Sequence, residues 1–206
     1  MNGKFVTIEG CDGVGKSTQV RLLKERFERD GISAVFTREP GGTVIAEKIR
    51  KIILENEVEE MDAMTELLLY EASRRQHTAR VIEPALEEGK LVICDRYVDS
   101  TLAYQGYGRG LDIETIKRLN AVARGSVNID LTLFLDVTSS EGFKRKGGRA
   151  SGDRLESESG AFYERVYEGF AFIADEEKRV VRVDASGTKF ETHEKLYASL
   201  KQRGFI

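Results

Sequence analysis

Phe5-Val6-Thr7-Ile8-Glu9-Gly10-Cys11-Asp12-Gly13-Val14-Gly15-Lys16-Ser17-Thr18 is an apolar run that breaks into glycines and ends in a lysine and two hydroxyls. From Gly10 to Ser17 it fits G-x-x-x-x-G-K-[ST] at every fixed position. The context fits as well, with a strand-like run before the motif and an amphipathic helix expected over Lys16–Arg29 after it. Glycines let the backbone curl so that its N–H groups point inward at phosphate oxygens. The positive end of the following helix adds a partial charge beneath them. Lys16 has the length to reach β- and γ-phosphates, and the Ser17 hydroxyl is a ligand for Mg²⁺. This strand–loop–helix unit therefore predicts a nucleoside triphosphate site.

Working outward, the same alternation repeats. Short apolar runs at Phe5–Glu9, Ala34–Thr37, Leu91–Cys94, Leu131–Asp136 and Val180–Asp184 read as strands. Between them, helices are expected over Lys16–Arg29, Val44–Glu55, Asp62–Glu88, Ile113–Arg124, Phe162–Glu177 and Thr188–Gln202. Such a rhythm predicts an α/β fold, a five-stranded parallel sheet flanked by helices. Asp62 is placed to cap the third helix and Gly89 to stop it, while Pro84 predicts a kink or a detached final turn. No repeat, heptad pattern or linker divides the chain, so residues 1–206 read as one domain. Arg38–Thr43 (REPGGT) and Arg145–Arg154 (RKGGRASGDR) read as mobile loops.

Composition narrows the class. The 206 residues are 40% hydrophobic and 33% charged, which excludes a disordered chain. Lys plus Arg number 32 against 35 Asp plus Glu, and a net charge of −3 argues against a dedicated nucleic-acid binder. No apolar run approaches the ~20 residues a bilayer requires. The first residues lead straight into a strand, with no signal-like segment. Two cysteines, Cys11 and Cys94, make no disulfide framework, so a cytoplasmic protein is expected.

The fate of the γ-phosphate divides proteins with this loop. Asp95 closes an apolar run and, beside a phosphate loop, reads as a second Mg²⁺ ligand with Ser17. The guanine-reading N-K-x-D of GTPases has only a faint echo in Thr188-Lys189-Phe190-Glu191. A small kinase needs an acceptor pocket and a water-excluding lid. Arg38, Arg74 and Arg96 are candidates to grip an acceptor phosphate. Tyr70 and Arg74, four residues apart on one expected helix, share a face that suits a nucleotide base. A nucleotide-dependent switch without catalysis, and a kinase for another deoxynucleoside or monophosphate, remain open on these residues.

A resemblance sharpens the reading. The loop at Gly10–Ser17, Arg38–Thr43, the helix at Leu67–Gln76, Asp95-Arg96-Tyr97, Ser100–Gly106 (STLAYQG) and Asp153-Arg154-Leu155-Glu156 occur in an order and spacing that resemble the thymidylate kinase family over nearly the full chain. The resemblance implies a P-loop kinase with strand order 2-3-1-4-5 and transfer of the γ-phosphoryl group of ATP to dTMP. The products are dTDP and ADP, Mg²⁺ is the cofactor, and the reaction serves dTTP synthesis. It implies an ATP site made by Gly10, Cys11, Asp12, Gly13, Val14, Gly15, Lys16, Ser17, Thr18 and Arg145. The dTMP site it implies is Asp12, Arg38, Tyr70, Arg74, Arg96, Ser100, Thr101, Tyr104 and Gln105. Of these, Arg38 and Arg96 would clamp the phosphate, and Tyr70 would stack on thymine where relatives usually have Phe. Arg74 would contact the base, Tyr104 would pack under the sugar, and Asp12 would meet its 3′-hydroxyl.

Lys16, Arg96 and Arg149 are the implied catalytic residues. Cys11–Val14 in the loop carry no basic residue, whereas a lid near 142–156 carries Arg145, Lys146, Arg149 and Arg154, similar to the bacterial pattern with a lid-borne arginine. Relatives are homodimers, with the Asp62–Glu88 helix the candidate contact face. One departure is Ile129-Asp130, where the family often has Pro-Asp. Cys11 reads as an inert loop filler, with a lowered thiol pKa at the helix start as the alternative. His77 and His193 read as helix-surface residues.

Overall fold

The computed structural model describes residues 2–55, 60–145, 154 and 158–206. The expectations for Lys146, Arg149, Asp153, Leu155 and Glu156, and with them most of the expected lid, lie outside these residues. Five strands, β1 (Lys4–Glu9), β2 (Ala34–Arg38), β3 (Leu91–Asp95), β4 (Leu131–Asp136) and β5 (Val180–Asp184), form one parallel sheet in the order β2-β3-β1-β4-β5. Each coincides with an expected strand to within one residue at either end.

Period-two alternation divides β1 between the faces of the sheet. Val6 and Ile8 enter one core with Leu23, Phe27, Val166 and Phe170, whereas Phe5 turns to the other side with Val92, Cys94, Ile82 and Leu86. Thr7 bonds Thr132 across β1 and β4 at 2.7 Å. The strands also finish level. Ile8 and Arg38 both stand opposite Asp95, so Glu9, Arg38 and Asp95 reach the same carboxyl edge. Ligands of open α/β sheets bind outside this edge.

The helices are α1 (Lys16–Asp30), α2 (Val44–Leu54), α3 (Ala63–His77), α4 (Glu83–Glu87), α5 (Val98–Thr101), α6 (Ile113–Arg124), α7 (Ser139–Arg145), α8 (Gly160–Glu176) and α9 (Lys189–Gln202). Gln19, Leu23 and Phe27 give α1 a buried stripe at four-residue spacing, and left-handed Gly31 ends it with an N–H to the Phe27 carbonyl. The expected long third helix starts as foreseen, with Asp62 Oδ1 accepting the N–H groups of Met64 and Thr65 at 3.0 Å. It is not uniform to Glu88. A π-helical turn at Thr78–Ile82 joins α3 to α4, and Pro84 occupies the first turn of α4. Widening the ladder before Pro84 accommodates the ring that would otherwise press on the preceding turn. Helices α5 and α7, and a second π-helical segment at Leu102–Gly108, fall in stretches with no apolar periodicity and were not expected.

The Arg38–Thr43 loop is tied down rather than mobile. Glu39 is buried and its N–H donates to the Asp95 carbonyl at 2.9 Å. Gly42 N–H donates to Glu47 Oε1, and Thr43 Oγ1 caps α2 by accepting from Ala46 N. A Cβ on Gly42 would lie 2.5 Å from the His77 ring, and its φ of +84° also favours glycine. His77 itself corrects the surface expectation: it is 0% exposed, within 2.9 Å of Glu39 Oε1 and 2.6 Å of Thr37 Oγ1. His193 is likewise buried, on the side of α9 that meets α1.

Candidate active site

Gly10 leaves β1 with φ +143°, and a Cβ there would meet the Leu135 carbonyl at 3.0 Å. The loop that follows wraps the Lys16 ammonium, which donates to the carbonyls of Gly10 at 2.9 Å and Cys11 at 2.7 Å. Burial, reinforced by the Arg96 charge, lowers the lysine pKa to about 8. Ser17 Oγ donates to Asp95 Oδ2 at 3.3 Å, joining the two expected metal ligands. Asp95 Oδ1 is buried and has no hydrogen-bond partner among the described residues. An orphaned carboxylate oxygen beside a hydroxyl fits a Mg²⁺ that takes its remaining ligands from phosphate and water. Among the described residues no group of three or more His, Cys, Asp or Glu forms a self-sufficient metal cage.

Two pockets open over the carboxyl edge. The first contains Gly13, Gly15, Lys16, Ser17, Thr18, Asp95 and Arg38. The second contains Tyr70, Arg74, Ser100, Thr101, Tyr104 and Gln105, so every expected acceptor residue lines it except Arg38. Asp12, Glu39, Arg50 and Arg96 belong to both walls and mark where the pockets meet.

Arg96 is the centre of that junction. Its φ of +70° makes it the non-glycine left-handed residue among those described, a conformation that costs about 1–3 kcal/mol. Its Nη2 donates to Asp12 Oδ1 at 2.7 Å and to Tyr104 Oη at 3.2 Å, and its Nη1 to Ser100 Oγ and the Gly10 carbonyl, both at 3.0 Å. Tyr104 in turn donates to Asp12 Oδ2 at 2.8 Å. Arg38 stands at the rim, its Nη2 reaching both carboxylate oxygens of Glu47 at 2.9 and 3.0 Å.

Arg74 differs from the sequence expectation in its surroundings. It is 2% exposed, and all five of its N–H donors have partners inside the protein. Nε bonds Glu39 at 2.8 Å, Nη1 bonds Glu71 and Asn120, and Nη2 bonds Thr101 Oγ1 and the Tyr97 carbonyl. Burial opposes its charge, yet Glu71 and Glu39 hold its pKa above the usual arginine range. Gln105 is similarly engaged, donating to Glu66 at 2.8 Å. Glu66 is fully buried and also accepts from Arg109 and Arg154. Burial would raise its pKa, but Arg109, Gln105 and Arg154 together hold it below the usual carboxylate range.

On the donor side, Arg145 spans to the carbonyls of Ala185 and Ser186 at 2.8 and 2.9 Å, joining α7 to the loop before α9. Cys11 is buried, and burial pushes its thiol up to about 12, opposite to the lowering a helix start can give. Glu9, Arg50 and Glu66 were not singled out from the sequence, and Glu39 entered only as part of the Arg38–Thr43 motif. Glu9, Glu39 and Glu66 are buried acids whose partners lie far along the chain.

The thymidylate kinase family model matches residues 8–196. The chain is 48% identical over 200 residues to a thymidylate kinase of Synechococcus sp. strain JA-3-3Ab, covering 97% of this chain and 96% of that one. It is 48% identical over 187 residues to a thymidylate kinase of Exiguobacterium sibiricum, covering 90% of this chain and 88% of that one. The crystal structure of thymidylate kinase from Ehrlichia chaffeensis superposes with a TM-score of 0.76 at 36% identity, covering 96% of this chain and 98% of that one. With the loop, the twin pockets and the strand order all in agreement, the chain belongs to the thymidylate kinase family, whose reaction is the ATP-dependent phosphorylation of dTMP to dTDP.

Proposed function

We propose that the junction of the two pockets is where the γ-phosphoryl group passes from ATP to dTMP, within one kinase domain spanning residues 1–206. The observation that carries this reading is the shared wall of Asp12, Glu39, Arg50 and Arg96 between the phosphate-loop pocket and the pocket lined by Tyr70, Arg74 and Tyr104. ATP lies on Gly10–Thr18 and Arg145, with Lys16 on its β- and γ-phosphates. Ser17 and Asp95 hold Mg²⁺, which supplies charge neutralisation of the phosphates when bound. In the acceptor pocket Tyr70 stacks on thymine, and Arg74, Ser100, Thr101 and Gln105 line the base. Tyr104 packs under the sugar and leaves no room for a 2′-hydroxyl, while Asp12 takes the 3′-hydroxyl.

Arg38 and Arg96 grip the 5′-phosphate, one oxygen of which attacks the γ-phosphorus as ADP departs. Little covalent work falls to the protein, so positioning and charge dominate. Arg149 neutralises the transferring group, a role supported by the absence of any basic residue among Cys11–Val14.

The enzyme acts as a homodimer. Met64 and Leu68 are exposed one turn apart on α3, and Ile45, Ile52 on α2 and Val122 on α6 are exposed on neighbouring helices. A cytoplasmic location agrees with two free, buried cysteines. Among the described residues no helix is long and apolar enough to cross a membrane.

An ADP-release assay with Mg²⁺-ATP and dTMP, dUMP, dCMP, CMP and AMP tests the acceptor. Strong preference for dTMP is expected, and equal turnover of another acceptor would overturn the Tyr70, Thr101 and Tyr104 roles. In the same assay Arg149→Ala should lower turnover ~10³-fold with the KM for dTMP unchanged.

A further inference from the structure

Glu9 is the last residue of β1, fully buried and one position before the phosphate loop. Its carboxylate does not face a phosphate site. It turns instead to the segment that follows β3, where Oε1 accepts the Tyr97 N–H at 2.7 Å and Oε2 accepts the Ser100 hydroxyl at 2.6 Å. These two partners both follow Arg96, one at once and one four residues on. On the near side the Arg96 N–H donates to the Ile8 carbonyl at 3.0 Å, and on the far side Tyr97 N–H is fixed by Glu9, so the left-handed residue is pinned at both ends by β1. Ser100 Oγ, having given its proton to Glu9, presents lone pairs and accepts Arg96 Nη1 at 3.0 Å. One carboxylate thus sets both the backbone and the side chain of the arginine.

We propose that Glu9 is a positioning residue for phosphoryl transfer, holding Arg96 in its working geometry through Tyr97 N–H and Ser100 Oγ. The proposal rests on the reading that Arg96 grips the acceptor phosphate. The environment of Glu9 supports it: burial, with Asp99 adding to it, raises the carboxyl pKa to about 7 against the pull of Ser100, Arg96 and Tyr97. A leucine or methionine would fill this core position without that desolvation cost, so the acid is kept for what it bonds.

Glu9→Gln keeps the shape and can still accept from Tyr97, but it places an amide donor against Ser100, which must then turn its own proton away. The expected result is a fall in kcat/KM for dTMP of roughly 10²-fold, from misplacement of Arg96, with the KM for ATP within twofold of the parent. Ser100→Ala, which leaves Glu9 in place and guards against a folding failure, should reproduce most of this loss. The double variant should be little worse than either single one, because the two act through one connection. Arg96→Lys separates the two readings. If Arg96→Lys is impaired on dTMP while Glu9→Gln and Ser100→Ala keep kcat/KM within twofold, the role of Glu9 is overturned and the clamp stands. If Arg96→Lys turns over dTMP undiminished, the clamp reading falls, and the proposal with it. Equal losses toward ATP and dTMP in Glu9→Gln would also overturn it, since a general loosening of the edge would touch both.

Discussion

The donor loop and the acceptor pocket hold anionic ligands by different means. The loop is a local backbone device: eight consecutive residues form it, Gly10, Gly13 and Gly15 supply its curvature with positive φ, and its one long side chain, Lys16, is supported by two carbonyls of the same loop. The acceptor pocket works with side chains drawn from distant segments. Arg74 of α3 is held by Glu39 from the loop after β2, by Asn120 of α6 and by Thr101 of α5. A local device and a distributed one respond differently to the same kind of change. In the loop, chemistry and folding are separable; in the pocket, the residues that meet substrate also hold the elements together.

The largest effects should expose this separation. Lys16→Ala should lower turnover by at least ~10²–10³-fold, the scale of losing a group that stabilises developing charge. Its cost to stability should be only about 1 kcal/mol, since it leaves two carbonyls without a donor but also removes a buried cation. Arg74→Ala should lose both, weakening dTMP binding and lowering stability together. It strands Glu39 and Glu71 in the interior, and breaking a buried pair in this way costs about 3–5 kcal/mol. Urea midpoints read beside turnover and dTMP affinity test the contrast. Two variants with equal shifts in midpoint would erase it.

A smaller effect follows from protonation. Burial, with Arg96, lowers the Lys16 pKa to about 8, so the free enzyme loses this charge as pH rises through 8. Polyphosphate binding favours the charged form, and above that pH ATP binding must take up a proton. The Kd for ATP should rise about tenfold between pH 7 and pH 9. Affinity for dTMP should not fall in parallel, because Glu9, its carboxyl raised to about 7, only gains charge as pH rises over this range and so keeps its hold on the Arg96 segment. Calorimetric titrations of each nucleotide at pH 7, 8 and 9 make the comparison, and parallel weakening of both ligands would contradict it.

The same contrast governs what could be read from the chain alone. The five strands and most helices follow from apolar periodicity, and the loop from Gly10 to Ser17 is contiguous, so both are legible locally. Pro84 announced a disturbance, though not that a π-helical turn would absorb it. His77 and Glu39 were not legible, because a buried histidine on α3 and a buried acid in a Gly-rich loop acquire meaning only when β2 and α3 are brought together. Val98–Gly108 escaped as helix because its polar face is turned into the pocket: Ser100, Thr101, Tyr104 and Gln105 interrupt the apolar pattern that marks helices elsewhere. Resemblance recovered those residues as a motif, whereas periodicity alone missed their helix.

Cys11 offers the smallest expected effect and a close test of how the loop works. Its position at a helix start suggests a reactive thiolate, and Lys16 and Arg96 nearby do favour one. Burial outweighs them and pushes the thiol up to about 12, because Cys11 lies in the core beside the sheet while only its carbonyl faces Lys16. At neutral pH almost none of it is thiolate. Cys11→Ser should therefore match the parent within twofold in turnover and in the rate of inactivation by peroxide, and iodoacetamide should not label Cys11 in the folded enzyme. Rapid labelling, or a parent inactivated much faster than Cys11→Ser, would mean that the side chain leaves the core. The loop would then be more than a backbone device, and the contrast with the acceptor pocket would have to be redrawn.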